Sequence, residues 1–497
     1  MNKEKNNEDS YKKNIKRYLY IVLMEVFAVG FALILLGEYK GGTDSSKTAG
    51  KVTGNDVVAA SFLQSEQETT KAEKEPVDDN NDSTLNDVKE NQTTIDSTDN
   101  AEGTENIDGK DNTVDTTSTS EDPDNSEGEN TVTEDKAIEM KLTNKEKQQL
   151  KEVNEIIENM TLEEKISQMF IVSPEELTNY YNVTVAGTNT KNAINKYHVA
   201  GVIYFSGNIK SESQLTKLLT NTQQYATANN GIPMFLGIDE EGGEVARIAN
   251  NPSFNVTKFD NLSTVSSKEE AYKIGSTIGE YLSKYGFNLD FAPTSDILTN
   301  KKNTVVRNRS FSSSSKIVVE YASAYTKGLN DEGMYASYKH FPGHGATAED
   351  SHEGFAYTDK TYEQLEKADL VPFIDGIKNG IDMIMVGHIS VPKVIGDNTP
   401  SSLSKVMVTD ILREKLGYEG VIITDAMNMG AISKNYTIEQ STSAAVKAGC
   451  DLILMPADFR KAYNGLLKSV KNGEISEKQI EDSVRRVLLL KQKRMEW

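Results

Sequence analysis

The chain has 497 residues and a formal net charge of −21, long enough for more than one domain and too acidic for nucleic acid to be a general partner. The charge is concentrated: residues 61–140 hold 24 acidic and 5 basic side chains, a net −19, so the remainder is close to neutral. Cys450 is the only cysteine, which excludes an intrachain disulfide framework, and its apolar setting reads as a small buried hydrophobe rather than a nucleophile.

Residues 1–17 carry Lys3, Lys5, Lys12, Lys13, Lys16 and Arg17 and read as a basic cytoplasmic tail. Residues 18–37 are almost wholly apolar, with Glu25 the only charge. About 20 such residues cross a bilayer as a helix, so the segment predicts a single transmembrane anchor. That makes the chain a single-pass protein of the cell membrane with its remainder outside, or a secreted one if the segment is a cleaved signal peptide. Residues 38–140 are dominated by Asp, Glu, Asn, Ser, Thr and Gly, which cannot bury enough apolar surface to fold, and predict a disordered acidic linker.

Order is expected across 141–497. Thr143 ahead of Glu146, and Thr161 ahead of Glu163 and Glu164, have the spacing of helix N-termini. Short apolar runs follow at 168–172, 200–205, 233–238, 287–291, 334–338, 382–386, 420–424 and 451–455. Helical patterns lie between them at 213–228, 268–284, 315–329, 362–377, 402–416 and 437–448, and a last one at 476–493 closes the series. Eight buried strands alternating with helices predict a single parallel (β/α)8 barrel of the TIM type.

In such a barrel chemistry belongs where strands end. The third run ends in Asp239, Glu240 and Glu241, and Asp296 follows the fourth. Lys339 and His340 follow the fifth, His388 the sixth and Asp425 the seventh. A Gly- and Pro-interrupted stretch after the fifth run holds three of the five histidines, His340, His344 and His352, with Asp350 beside the last; its composition predicts a mobile loop. No metal-ligand spacing, Gly-x-Ser-x-Gly elbow or phosphate loop accompanies these groups. Asp, Glu and His remain, the inventory of acid–base and nucleophilic chemistry that glycoside hydrolysis uses. Read this way alone, Asp425 fits a cap for the next helix as well as a nucleophile, Lys339 fits a simple ion pair, and Asp296 and His388 fit pocket-lining or structural roles.

The segments Gly201-Val202-Ile203-Tyr204-Phe205, Asp239-Glu240-Glu241-Gly242-Gly243, Phe291-Ala292-Pro293, Asn308-Arg309-Ser310-Phe311, Lys339-His340-Phe341-Pro342-Gly343-His344-Gly345, Asp350-Ser351-His352 and Ile423-Thr424-Asp425 occur in this order. Together they resemble glycoside hydrolase family 3, in its bacterial β-N-acetylhexosaminidase branch, over about residue 150 to the C-terminus. The resemblance implies a retaining exo-hydrolase of terminal N-acetyl-β-D-glucosamine that works without a metal or cofactor on peptidoglycan fragments or amino-sugar oligosaccharides. It implies Asp425 as nucleophile, His352 as general acid/base and Asp350 as its partner, with Asp239, Arg247, Arg309, Lys339 and His340 binding the sugar. The partners implied are a carbohydrate substrate and, through residues 18–37, a membrane. A family 3 β-glucosidase or β-xylosidase, and a non-catalytic surface glycan-binding protein, are the alternatives. Two departures stand out: Glu244 where the family often has Arg, and Glu353-Gly354-Phe355-Ala356 where an apolar stretch ending in Pro is usual.

Overall fold

The described residues, 143–495 apart from 349, 353 and 355 in this computed structural model, begin with two helices marked by their caps. Thr143 and Thr161 each accept from the backbone N–H three residues on, and Glu146 and Glu164 accept from the caps' own N–H groups, opening helices Asn144–Asn159 and Leu162–Ser167. The expected tail at 1–17, anchor at 18–37 and linker at 38–140 lie outside the described residues. Among the described residues no helix is long and apolar enough to cross a membrane.

The strands are β1 (Phe170–Val172), β2 (Gly201–Ile203), β3 (Phe235–Ile238), β4 (Glu240–Gly242), β5 (Val245–Ala246), β6 (Leu289–Asp290), β7 (Tyr335–Phe341), β8 (Ala356–Tyr357), β9 (Met383–Val386), β10 (Ile389–Ser390), β11 (Val421–Thr424) and β12 (Ile453–Leu454). Eight of them form one sheet in the order β11-β9-β7-β6-β3-β2-β1-β12, every neighbouring pair parallel. A parallel bridge between Ile423 and Leu452, with the Thr424 N–H donating to the Leu452 carbonyl at 3.0 Å, brings the two edges together. The result is the (β/α)8 barrel expected, with one strand in each of the eight apolar runs. The remaining strands make two short rim sheets, β4 with β5 and β8 with β10.

Inside the barrel, Ile171, Phe235, Leu289, Phe291, Tyr335, Met383, Met385 and Val421 pack as one apolar cluster, while a larger cluster fills the layer between strands and helices. The helix Glu477–Arg494 contributes Val487 and Leu490 to the inner cluster and so stops the end from which the strands start. Asp382, just before β9, pairs with Lys493 at 2.6 Å and Arg494 at 2.7 Å, and Asp451, before β12, pairs with Arg486 at 2.9 Å. Helices Lys268–Tyr285 and Ser315–Asp331 cross at glycines: a Cβ on Gly275 would stand 2.1 Å from the Tyr325 carbonyl oxygen. That close approach holds Tyr325 with its hydroxyl 3.2 Å from the backbone oxygens of Glu240 and Glu241.

Three expectations change in detail. β7, expected over 334–338, runs on to Phe341, so Lys339 and His340, expected at the end of the strand, lie within it. The helix expected over 362–377 breaks into Tyr362–Glu366 and Val371–Lys378, because Pro372 lacks the N–H a helix interior needs and sits instead in a first turn. The one expected over 402–416 is a 3-10 turn, Ser401–Leu403, followed by a π-helix, Val406–Lys415. Helices Thr188–Lys196 and Phe459–Lys471 were not anticipated.

Lys491 on the closing helix is fully buried, its ammonium 3.0 Å from Gln168 Oε1 and 5.3 Å from the centre of the Phe235 ring. Burial pushes it down to about 7 from 10.5. Below about 7 the ammonium is charged in both folded and unfolded chains and its burial penalty is fully felt; from about 7 to 10.5 only the unfolded chain holds the proton, so stability rises with pH. Lys491→Met is therefore expected to raise the unfolding free energy by a few kcal/mol at pH 6 and by much less at pH 10, measured by denaturant titration. An equal gain at both values would contradict the assignment.

Candidate active site at the barrel mouth

β3 hands its last residues to the rim hairpin, where two adjacent carboxylates take opposite duties. Glu240 is fully buried and accepts from the backbone N–H groups of Arg247, Ile248 and Ala249 at 2.5, 2.9 and 2.8 Å and from the Tyr281 hydroxyl at 2.8 Å. It shapes the turn that presents Arg247. Burial raises its carboxyl above the usual range in spite of those donors. Glu241, also fully buried, accepts from Arg309 Nε and Nη2 at 2.9 and 2.7 Å, from Lys339 Nζ at 2.7 Å and from Thr294 Oγ1 at 3.1 Å. Burial would raise this carboxyl too, but Arg309 and Lys339 outweigh it and hold the group well below the usual range.

Lys339 donates as well to Asp239 Oδ1 at 2.9 Å, so the ion-pair reading of this lysine is correct and shared between two carboxylates. Arg247 stands 3.9 Å from Asp239 Oδ2 with its guanidinium 5.9 Å from the centre of the Phe205 ring. Asp239, Arg247, Arg309 and Lys339 thus form one cluster, as the sequence reading of a shared polar pocket requires. Asp239 and Arg247 are its partly exposed members, the ones open to a ligand.

His340 reaches this mouth from β7. Asp296 is fully buried and accepts from His340 Nδ1 at 2.8 Å, from the His340 backbone N–H at 3.2 Å and from the His344 N–H at 2.6 Å. With Nδ1 engaged, Nε2 is the ring nitrogen left for a ligand. Burial opposes ionisation of Asp296, but His340 and His344 keep its carboxyl low.

Asp425 follows β11 and is 8% exposed, with Oδ1 accepting from the Ala426 N–H at 2.7 Å. It is not a helix cap: the next helix, Gly430–Ser433, has Met429 at that position. Against the cost of burial, the imidazoles of His340 and His388 hold its carboxyl below 3.8, and His352 adds to the effect. His388 is within 2.7 Å of Ser402 Oγ through Nδ1 and 3.0 Å of the Ala426 carbonyl through Nε2, so its work is to fix the peptide after Asp425.

Asp350 and His352, which the family resemblance pairs, are in contact. His352 Nδ1 lies 2.7 Å from Asp350 Oδ1, which also accepts from the His352 N–H at 2.8 Å. Both side chains are open to solvent, yet Ser351 between them is buried, its hydroxyl 2.9 Å from His344 Nε2. His344 Nδ1 lies 2.9 Å from Thr347 Oγ1, and burial, with His340 nearby, pushes the His344 imidazole down to about 4. The Gly430 N–H donates to the His352 carbonyl at 3.0 Å and the Ala431 N–H to the Ser351 carbonyl at 3.2 Å. The described residues of this loop are therefore docked onto the segment that follows Asp425, where composition predicted mobility. Glycine and proline content carries no information about such acceptors.

Sequence alone assigns no role to Glu240, Glu241, His344 or Ser351, although two acids beside an apolar run and a serine inside Asp350-Ser351-His352 are visible signals. Glu244, the first departure from the family, sits exposed on the rim and accepts from Asn308 Nδ2 at 3.0 Å, away from the Glu241 ion cluster. Glu353 and Phe355 of the second departure lie outside the described residues.

Glu241→Gln leaves two buried cations short of a countercharge. It is expected to cost about 3–5 kcal/mol of unfolding free energy by denaturant titration, whereas Glu244→Gln stays within about 0.5 kcal/mol. Equal effects would overturn the role given to Glu241.

Residues 161–490 match the family model described as the glycosyl hydrolase family 3 N terminal domain. The chain is 34% identical over 325 residues to Beta-hexosaminidase A of Pseudoalteromonas piscicida, covering 60% of this chain and 54% of that protein. It is 28% identical over 336 residues to Beta-hexosaminidase LpqI of Mycobacterium tuberculosis, covering 66% of this chain and 82% of that one. A solved glycoside hydrolase family 3 beta-N-acetylglucosaminidase from Paenibacillus sp. FPU-7 superposes with a TM-score of 0.63 at 36% identity, over 67% of this chain and 63% of the other. The chain thus spans about half of the first relative and under two thirds of the Paenibacillus protein. It belongs to glycoside hydrolase family 3.

Proposed function

We propose that the barrel is a retaining exo-β-N-acetylhexosaminidase that removes terminal non-reducing N-acetyl-β-D-glucosamine from peptidoglycan fragments or amino-sugar oligosaccharides. One observation carries the reading: the backbone of Ser351 and His352 is hydrogen-bonded to the segment that begins at Asp425, so a carboxylate kept ionised and an imidazole paired with Asp350 share one mouth. The names of the relatives, beta-hexosaminidase and beta-N-acetylglucosaminidase, supply the sugar.

In the first step an Asp425 oxygen attacks the anomeric carbon while protonated His352 gives its Nε2 proton to the departing glycosidic oxygen. Asp350, bound at Nδ1, holds the ring and stabilises its charged form before the transfer. The products are the leaving alcohol, a glycosyl ester on Asp425 and a neutral imidazole. In the second step that imidazole takes a proton from water, the oxygen adds to the anomeric carbon, and the ester bond breaks to restore the Asp425 carboxylate. Two inversions leave the configuration retained. Asp239, Arg247 and the free Nε2 of His340 hold the sugar hydroxyls, with Arg309 and Lys339 behind them setting the charge of the pocket. The apolar segment at 18–37 and the acidic stretch at 38–140 would tether this barrel outside the cell membrane.

The discriminating substrates are p-nitrophenyl N-acetyl-β-D-glucosaminide and the matching β-glucoside. Selective turnover of the first is expected, with kcat/KM falling on the order of 10⁴-fold in Asp425→Ala. In His352→Ala the loss on an N-acetylglucosamine disaccharide is expected to be ~10²–10⁴-fold, and smaller on the aryl glycoside, whose phenolate leaves without protonation. Turnover of the glucoside alone would point to a β-glucosidase, and turnover of neither to a glycan-binding protein.

A further inference from the structure

The loop that carries His352 does not simply return to the barrel. It runs into β8, which pairs in parallel with β10, Ala356 against Ile389 and Tyr357 against Ser390. The Thr358 N–H adds a bond to the Ser390 carbonyl at 3.0 Å. β10 begins one residue after His388, the side chain that fixes the peptide following Asp425. This small sheet therefore joins the chain leaving the acid/base to the chain flanking the nucleophile, and a cavity of about 360 Å³ opens beside it, lined by Tyr357, Asp359, Ser390, Pro392 and Asn398.

Nothing described so far uses this cavity. Its volume is within the ~300–1,000 Å³ of small-molecule sites. Tyr357 is 48% exposed, one of four large apolar side chains exposed at least that far among the described residues. Asp359 is exposed and has no ion-pair partner among the described residues, although its neighbour Lys360 is paired with Asp369 at 2.6 Å. Ser390 Oγ donates to the backbone carbonyl of Asn398 at 2.7 Å, which sets the wall beside the exposed Asn398 side chain. An aromatic face with a carboxylate and an amide beside it suits a pyranose, whose C–H face packs on the ring while its hydroxyls bond the rim. Asp359 is the only charged side chain in the lining.

We propose that this cavity is the leaving-group subsite and that it accepts an uncharged N-acetylhexosamine in preference to a sugar bearing a carboxylate, such as a muramic acid residue. The inference rests on the proposed hydrolase reading: the cavity lies beside β8, the strand into which the chain carrying His352 runs. Tyr357 supplies the platform, and the Asp359 carboxylate repels an anionic leaving sugar.

The test uses the full chain with three substrates: the aryl glycoside, the N-acetylglucosamine disaccharide, and N-acetylglucosaminyl-N-acetylmuramic acid. The wild type is expected to favour the neutral disaccharide over the anionic one. Tyr357→Ala is expected to lower the ratio of kcat/KM for the neutral disaccharide to that for the aryl glycoside about tenfold. Asp359→Lys is expected to move the preference between the two disaccharides about tenfold toward the anionic one. Both variants are exposed substitutions, and an unchanged melting temperature shows that they fold. Ratios unmoved in both, or all three substrates falling together, would overturn the subsite. A wild type that cleaves the disaccharides, with both variants leaving these ratios unmoved, overturns the subsite and leaves the hydrolase standing, whereas a wild type that cleaves none of the three overturns the hydrolase and the subsite with it.

Discussion

The Glu241 carboxylate, buried among two cations and a hydroxyl, is the contact on which the mouth depends. A guanidinium from the segment after β6 and an ammonium from β7 would each be costly in the barrel interior; this carboxylate, bound by Arg309 Nε and Nη2 and by Lys339, makes both tolerable. It also fixes their directions, since a bidentate pair permits little rotation. Lys339 then reaches Asp239, and Asp239 approaches Arg247, so one buried charge orders the polar side of the site. Glu240, its neighbour, does the complementary work on backbone N–H groups and holds the turn itself. Preorganised charges of this sort need little rearrangement during reaction, which is the main electrostatic advantage an active site can have.

A second order of support runs through Asp296. It ties His340 on β7 to the backbone of His344, and His344 binds Ser351, the buried residue between Asp350 and His352. The exposed dyad is thereby linked to the same buried layer that holds His340 toward the mouth. Gly430 and Ala431 fasten it from the other side. A proton donor on a loop gains positional precision when its neighbours, rather than its own side chain, are buried.

Much of this was legible in the sequence, for a physical reason. Barrel strands are buried on both faces, so each leaves an apolar run of a few residues, and a polar residue at the end of such a run has only the mouth to go to. That logic located Asp239, Lys339, His340 and Asp425 at the mouth without reference to relatives, while every catalytic and sugar-binding role came from the family likeness. What was not legible was second-layer pairing. Glu241 and Asp296 look like any strand-end acid until Arg309, Thr294 and His344, distant in sequence, are brought to them. The breaks in the helical patterns at 362–377 and 402–416 were hidden in a similar way: apolar spacing reports which face is buried, not how the backbone hydrogen bonds close.

In the proposed chemistry the carboxylate at the end of β11 bonds to the sugar while the His352 imidazole manages the proton. Incubation with a 5-fluoro N-acetylglucosaminyl fluoride, which forms a glycosyl-enzyme faster than it hydrolyses, followed by peptide mass mapping, tests it most directly. A single modified peptide, carrying the sugar on Asp425, is expected. A stable adduct on any other residue, or turnover of the reagent with inversion and no adduct, would contradict it.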